Sequence, residues 1–158
     1  SYRNTMEIAS YANSISDVSD MELFERHGKP VEEQTFSDRK AALEAVLEKL
    51  RLEEFETAAV IEMTQERAKK SAAYLKERME ELGMDTENRF SVVDRDSTHF
   101  KKGLTVTTFY LAKGLEFDQV FSVFPGQDRS QIVERARYIA ATRALHELYM
   151  YEVKASQD

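Results

Sequence analysis

The feature that most constrains the fold is a short, nearly continuous apolar run at residues 57–63, Thr-Ala-Ala-Val-Ile-Glu-Met. Such a run is typical of a strand that helices cover on both faces. Thr64 follows as a helix cap, and the helix after it carries an apolar stripe that ends at Gly83, a residue suited to a C-terminal cap. Because residues 90–93 form the next apolar run, this part of the chain predicts a β-α-β unit in a mainly parallel sheet.

The same patterns extend over the rest of the chain. Apolar residues spaced three and four apart predict helices, and short apolar or alternating runs predict strands. The sequence therefore predicts one α/β domain, residues 1–158, with helices covering a central sheet. The further predicted elements are a helix capped by Asn4 or Thr5, a strand at 31–36, a helix from Ser37 or Asp38 through Glu53, strands at 104–108 and 119–124, a helix at 130–143 and a strand at 146–153.

Composition narrows the class of protein. A chain of 158 residues that is 42% hydrophobic and 32% charged can bury a sizeable core as one globular domain. It has no cysteine, so it has neither a disulfide framework nor a thiolate metal site, which is compatible with the cytoplasmic location that we expect. The three histidines, His27, His99 and His146, are far apart in sequence, and we expect no metal site from them.

Net charge and apolar run length limit the partners. A formal net charge of −7 argues against a self-sufficient nucleic-acid binder, because Lys and Arg supply most of the affinity for phosphates. Any contact with DNA or RNA is therefore local or shared with other parts of a parent protein. The apolar runs are far shorter than the ~20 residues of a membrane helix, so no membrane partner is expected. The chain starts at Ser1 without a signal-peptide pattern, and we expect it to be a fragment of a longer polypeptide.

The segment between the strands at 104–108 and 119–124 carries candidate site chemistry. Lys113 and Gly114 put a cation beside a flexible backbone, and Glu116 adds a carboxylate three residues after the lysine. Loops that leave the carboxyl ends of strands form the ligand sites of open α/β sheets, so we expect this loop to display its side chains at such an edge. A charged surface turn without function is an equally open interpretation of the segment alone.

Two further places carry groups that suit a nucleotide. Tyr2 and Arg3 lie just before a predicted helix. An aromatic ring can stack on a nucleotide base, and a guanidinium can bind phosphate oxygens through two hydrogen bonds. A frayed terminus with a surface arginine is the alternative. Arg143 is surrounded by small residues, which leaves its guanidinium room to project into a phosphate site held by another domain. The alternative is an arginine at a helix C-terminus that interacts favourably with the negative end of the helix dipole. The sequence has no phosphate-binding loop and no strand ending in paired acids, so this chain alone is not expected to hydrolyse a nucleotide.

Three separated segments together resemble motifs of superfamily 1 helicases of the UvrD/Rep type. Residues 108–117, Thr-Phe-Tyr-Leu-Ala-Lys-Gly-Leu-Glu-Phe, resemble motif V, whose pattern is Thr-x-His-x-Ala-Lys-Gly-Leu-Glu-Phe. Residues 138–144, Tyr-Ile-Ala-Ala-Thr-Arg-Ala, resemble motif VI, and residues 2–5, Tyr-Arg-Asn-Thr, resemble motif IV. The resemblance spans nearly the whole chain. It implies the second RecA-like domain of an ATP-driven DNA helicase or translocase, with a three-layer α/β/α fold and a mainly parallel sheet.

The resemblance also implies residue roles at an ATP site that lies between two domains. Tyr2 would stack on adenine, Arg3 would reach the γ-phosphate, and Glu116 would accept a ribose hydroxyl. Arg143 would act as the arginine finger, and the Lys113-Gly114 pair would shape the loop beside the cleft. ATP and its Mg²⁺ would be held mainly by the first RecA-like domain of the same polypeptide, which the present chain lacks.

On the nucleic-acid side, the resemblance brings Thr64, Thr108 and Tyr110 near a track for single-stranded DNA. Tyr110 stands where the family has a histidine, so a role that needs an imidazole is in doubt, although a phenol can still stack. The segment from Val93 to Leu104 is too short for the large insertion of UvrD and Rep. In this respect the chain resembles the HelD-like branch, some members of which act on RNA polymerase, and that polymerase is the alternative partner.

Overall fold

The protein is built from six strands and five helices within residues 4–16, 29–52, 55–97 and 101–154, which a computed structural model describes. In chain order the elements are α1 (Met6–Ser16), β1 (Glu32–Phe36), α2 (Arg39–Leu52), β2 (Thr57–Glu62), α3 (Gln65–Glu81), α4 (Thr86–Arg89), β3 (Phe90–Val92), β4 (Gly103–Thr108), β5 (Phe117–Pro125), α5 (Gln131–Thr142) and β6 (Ala144–Val153).

All six strands join one sheet in the order β1-β6-β5-β2-β4-β3, and every neighbouring pair is parallel. The apolar run that predicted a strand forms β2, which pairs with β4 on one side and β5 on the other. Its last five residues, 58–62, are all buried. The expectation of a mainly parallel sheet is therefore confirmed, and the central place of β2 explains its continuous apolar character.

Helices cover both faces of the sheet and enclose two cores. Ala58 and Val60 of β2 pack on the face that carries α2 and α3, whereas Ala59 and Ile61 pack on the face that carries α1 and α5. This alternation is the period of two that a strand imposes on its side chains. The predicted three-layer α/β/α fold is confirmed. No helix within the described ranges is long and apolar enough to cross a membrane.

Local capping signals place the helix ends close to their predicted positions. The Thr64 hydroxyl accepts a hydrogen bond from the Arg67 amide at 3.2 Å and begins α3. The Asp38 carboxylate accepts from the Ala41 amide at 2.8 Å at the start of α2. Of the two predicted caps of α1, Thr5 is the one that binds the helix backbone, accepting from the Ile8 amide at 3.3 Å.

One helix and the starts of two strands differ most from the sequence-based expectation. The short helix α4 was not expected, because its only local signal is Asp85, whose carboxylate accepts from the Asn88 amide. The strands β5 and β6 each start two residues earlier than expected, at Phe117 and Ala144. These early starts depend on a tertiary contact, since the amide of Phe117 donates to the carbonyl oxygen of Arg143 at 2.9 Å.

Candidate functional site

The loop at residues 109–116 runs from one end of the parallel strands to the other. We call the side of the sheet where the strands have their carboxyl ends the carboxyl edge, and the side where they have their amino ends the amino edge. Thr108, the last residue of β4, lies opposite Glu62, which in turn lies opposite Val123 of β5. The loop ends at Phe117, the first residue of β5, six residues before Val123. At about 3.3 Å per residue, the two ends of the loop are roughly 20 Å apart along the strands. The expectation that the whole loop lies at the carboxyl edge is therefore wrong.

The first half of this loop is a helical turn that is anchored in the core. The amide of Ala112 donates to the carbonyl oxygen of Thr108 at 3.0 Å, and the amide of Leu111 donates to the Thr108 hydroxyl at 3.2 Å. Ala112 is fully buried in the core beside α1 and α5, and Leu115 packs partly against the same core. The loop is thus fixed to the sheet and is not a freely displayed turn.

The three residues expected near a nucleic-acid track lie at the carboxyl edge of adjacent strands. Thr64 is exposed, whereas Thr108 is only 5% exposed and its hydroxyl already accepts a hydrogen bond from the loop backbone. Tyr110 is 66% exposed. The ammonium of Lys113 lies 5.0 Å from the centre of the Tyr110 ring, a cation–π distance. Lys113 was expected beside the ATP cleft, and in the structure its contact is with Tyr110.

Arg143 lies at the amino edge, at the junction of α5 and β6. Its Nη1 donates to the carbonyl oxygen of Leu115 at 3.1 Å, and its Nε and Nη2 lie 3.4 and 3.3 Å from the hydroxyl of Thr142. The side chain is half-buried. The projection of this guanidinium into a site held by another domain stays a prediction, and in this structure its Nη1 donates to a carbonyl oxygen at the end of the loop.

Asn4 ties the start of α1 to the two neighbours of Arg143. Its carboxamide donates to the carbonyl oxygen of Thr142 at 3.3 Å and also to that of Ala144. The sequence interpretation missed this role and treated Asn4 as a candidate cap. Tyr2 and Arg3, the predicted nucleotide contacts, lie outside the described residues. The chain that follows them is nevertheless bound directly to the segment that carries Arg143.

The site residues thus divide between the two edges of the sheet. Thr64, Thr108 and Tyr110 gather at the carboxyl edge, and Arg143 lies at the amino edge beside the end of the loop. Glu116 is half-buried at that same end of the loop, between Leu115 and Phe117, whose backbone groups pair with Arg143. The roles inferred for these side chains stay predictions.

A buried carboxylate near the carboxyl edge was missed by the sequence interpretation. Glu62, the last residue of β2, is fully buried beside Arg39 and Ser71. Burial raises the pKa of the Glu62 carboxyl, and the charge of Arg39 and the hydrogen bond from Ser71 oppose that rise. The available signal was an acidic residue at a core-facing position of an otherwise apolar strand, two residues after Val60.

The described part of the chain offers no group of three or more His, Asp or Glu side chains that could hold a metal ion. At the amino edge, the guanidinium of Arg143 lies beside Leu115 and suits a phosphate oxygen. A guanidinium at this edge is compatible with the phosphate contact that the resemblance implies.

The comparisons with known proteins agree with this geometry. Residues 103–151, which contain the loop and Arg143, match the family of the UvrD-like helicase C-terminal domain. The C-terminal domain of a possible DNA helicase from Lactobacillus plantarum WCFS1 has a similar fold, with a TM-score of 0.74 and 22% sequence identity over 97% of this chain and 88% of that chain. No curated protein sequence matches the chain significantly. Residues 103–151 are therefore similar to the C-terminal domain of UvrD-like helicases, and the chain as a whole shares the fold of that solved domain.

Proposed function

We propose that the chain is the second RecA-like motor domain of an ATP-driven DNA helicase or translocase. In this proposal the amino edge supplies one wall of an ATP site shared with a first RecA-like domain, and the carboxyl edge supplies part of a single-stranded DNA track. The observation that carries the proposal is the loop at residues 109–116, whose far end accepts a hydrogen bond from Arg143 and whose near end bears the exposed Tyr110.

On the ATP side, Arg143 would stabilise the negative charge that develops on the transferred phosphoryl group. To do so, its guanidinium would exchange the carbonyl of Leu115 for phosphate oxygens. The family resemblance implies the other contacts: Tyr2 would stack on adenine, Arg3 would bind the γ-phosphate, and Glu116 would accept a hydrogen bond from the ribose. Bound ATP with its Mg²⁺ supplies the phosphoryl transfer chemistry. Because two domains hold the same nucleotide, hydrolysis changes how strongly they attract each other, which is the basis of a motor.

On the nucleic-acid side, Tyr110 and Lys113 form a compact pair that suits an unpaired base. The exposed phenol ring is available for stacking, and the ammonium beside it can contact a phosphate. Such a local contact is compatible with the net charge of −7, which argues against a large phosphate-binding surface on this chain.

The test is ATP turnover by the full-length protein with Arg143→Ala. We expect turnover stimulated by single-stranded DNA to fall by roughly 10³-fold or more, the range for removal of an arginine finger, while nucleotide binding largely survives. Arg135→Ala is the matched control, because Arg135 is an exposed arginine of the same helix. Unchanged turnover in the Arg143→Ala protein would contradict the proposal.

A second candidate function is an ATP-regulated module, similar to HelD, that binds and remodels RNA polymerase. Two observations favour it: the acidic charge of the chain, and the connection of only ten residues, 93–102, between β3 and β4, where UvrD and Rep carry a large insertion. Stoichiometric co-purification of the full-length protein with RNA polymerase supports this candidate. Tight single-strand binding with robust duplex unwinding supports the motor instead.

A further inference from the structure

A buried ionic cluster joins α2, β2 and α3 on the face of the sheet opposite the loop. Nη1 of Arg39 lies 2.7 and 2.8 Å from the two carboxylate oxygens of Glu62 and 3.0 Å from the hydroxyl of Ser71. That hydroxyl donates in turn to Glu62. Glu62 and Ser71 are fully buried, and the side chain of Arg39 is 12% exposed. The three residues come from the first residue of α2, the last residue of β2 and the second turn of α3.

Such a cluster is not the simplest way to fill this part of the core. Buried charge pairs lose much of their attraction to desolvation, and apolar residues of similar volume often stabilise a protein equally well. On the same face of β2, Ala58 and Val60 are the preceding core-facing residues and are apolar. An ion pair contributes a defined orientation, because a carboxylate that accepts three hydrogen bonds fixes the end of its strand in one position.

The position of Glu62 connects this cluster to the nucleic-acid edge. The carbonyl oxygen of Glu62 accepts a hydrogen bond from the amide of Phe109 at 3.0 Å, at the first residue of the loop. Glu62 also lies directly opposite Thr108 in the sheet, and Thr64 follows it by two residues. One residue thus has its side chain in the buried cluster and its backbone bonded to the loop that displays Tyr110.

We propose that Arg39, Glu62 and Ser71 are positioning residues for nucleic-acid binding. They fix the end of β2 and, through it, the orientation of Thr64 and of the start of the loop. This inference rests on the proposed nucleic-acid track. Glu62 and Ser71 are fully buried and Arg39 is nearly so, so the three side chains would act through the backbone and not by direct contact. The cluster lies roughly 20 Å along the strands from the ATP edge. Its loss therefore affects nucleic-acid affinity more than the response to ATP.

The experiment compares Glu62→Gln and Ser71→Ala with Met79→Ala in the full-length protein. Met79 is buried in the same core and lies on α3, eight residues after Ser71 and closer to the amino edge. Its truncation is therefore a control for a general loss of stability. The probe is a fluorescently labelled 20-nucleotide oligo(dT), and its Kd is measured by anisotropy. We expect the Kd to rise about tenfold for Glu62→Gln, within the range for network residues, and by less than twofold for Met79→Ala. The KM for ATP, measured with saturating oligo(dT), is expected to change less than the Kd.

Hydrogen exchange gives a second, independent readout. The peptide that contains the Phe109 amide is expected to exchange faster in Glu62→Gln and Ser71→Ala, and to be unchanged in Met79→Ala. If the wild type binds oligo(dT) and all three variants weaken binding in proportion to their loss of stability, the cluster is only a part of the core and the inference fails. If the wild type does not bind oligo(dT), the proposed track fails and the inference fails with it.

Discussion

The guanidinium of Arg143 donates a 3.1 Å hydrogen bond to the carbonyl oxygen of Leu115. The amide of Phe117 donates back to the carbonyl oxygen of Arg143 at 2.9 Å. The end of α5 and the end of the loop are therefore bonded in both directions. The Nε and Nη2 atoms of Arg143 also lie near the Thr142 hydroxyl. Bidentate hydrogen bonding to a phosphate therefore requires the guanidinium to break some of these contacts.

This relationship predicts the effect of Thr142→Val in the full-length protein. The substitution removes an acceptor that holds the guanidinium of Arg143 in place while retaining a branched side chain. We expect kcat for ATP turnover to rise by roughly twofold to tenfold, the value of one modest hydrogen bond, with little change in the KM for ATP, because Arg143 acts on the transferred phosphoryl group. Thr86→Val is the control, because the Thr86 hydroxyl bonds to Glu80 far from α5. A higher KM for Thr142→Val would mean that Thr142 itself supports nucleotide binding.

The Tyr110–Lys113 pair predicts a separable stacking and ionic contribution to oligonucleotide binding. Tyr110→Ala is expected to weaken binding of single-stranded oligo(dT) by about tenfold, whereas Tyr110→Phe keeps the ring and most of the affinity. Lys113→Gln is expected to reduce the slope of log Kd against log salt by about one. Ile132→Ala, which removes another exposed apolar side chain, is the control. Equal affinity of the wild type and Tyr110→Ala would exclude stacking on this ring.

Two glycines with positive φ predict unequal costs of an added methyl group. Gly103 has a φ of +100°, and a Cβ there would lie 2.2 Å from the carbonyl oxygen of Arg89. Gly114 has a φ of +83°, and a Cβ there would meet nothing within 4 Å. We expect Gly114→Ala to lower the free energy of unfolding by about 1–2 kcal/mol, from backbone strain alone. Gly103→Ala is expected to cost more, since β4 or the end of α4 must move. Urea unfolding of both variants tests this order, and equal losses would contradict it.

The raised pKa of the Tyr11 hydroxyl predicts that the protein loses stability at alkaline pH. Burial raises the pKa of its hydroxyl to about 12, against the lowering effect of Arg137. Between the unfolded value of 10.0 and this folded value, the folded protein keeps the proton and the unfolded chain loses it. The unfolded state then binds fewer protons, so the contribution of Tyr11 to stability falls as pH rises through this window.

The measurement for Tyr11 compares the free energy of unfolding of the wild type and Tyr11→Phe from pH 9 to pH 12. The wild type is expected to be the more stable protein at pH 9, because its hydroxyl bonds to Arg137 at 2.9 Å and Glu33 at 3.2 Å. Its advantage is expected to shrink as the pH approaches 12. A difference that stays constant over the whole range would contradict the raised pKa.

Much of the candidate site could be predicted from short segments. The Lys-Gly-x-Glu pattern at residues 113–116 and the arginine at the end of α5 were recognised as site chemistry, because their residue types and spacing are local properties. What could not be predicted was their contact. Arg143 and Leu115 are 28 residues apart in sequence, and they meet because β5 and β6 are neighbours in the sheet.

The same limit applies to the buried cluster of Arg39, Glu62 and Ser71. The pattern of β2 indicates a buried strand, and an acidic residue in it stands out, but the sequence does not indicate which cation pairs with it. Arg39 precedes Glu62 by 23 residues, and only the packing of α2 and α3 on the same face of the sheet brings it there.

The sequence by itself determined most of the helices and strands and the caps at Asp38 and Thr64, because periodicity of side chains and capping at helix ends depend on residues only two to four positions apart. The tertiary structure decided where these elements place their chemistry. It is the strand order β1-β6-β5-β2-β4-β3 that puts Thr64 and Tyr110 at one edge and Arg143 at the other. The loop at residues 109–116 links those edges because β4 and β5 are parallel strands of one sheet, so their connection must return along the length of the sheet.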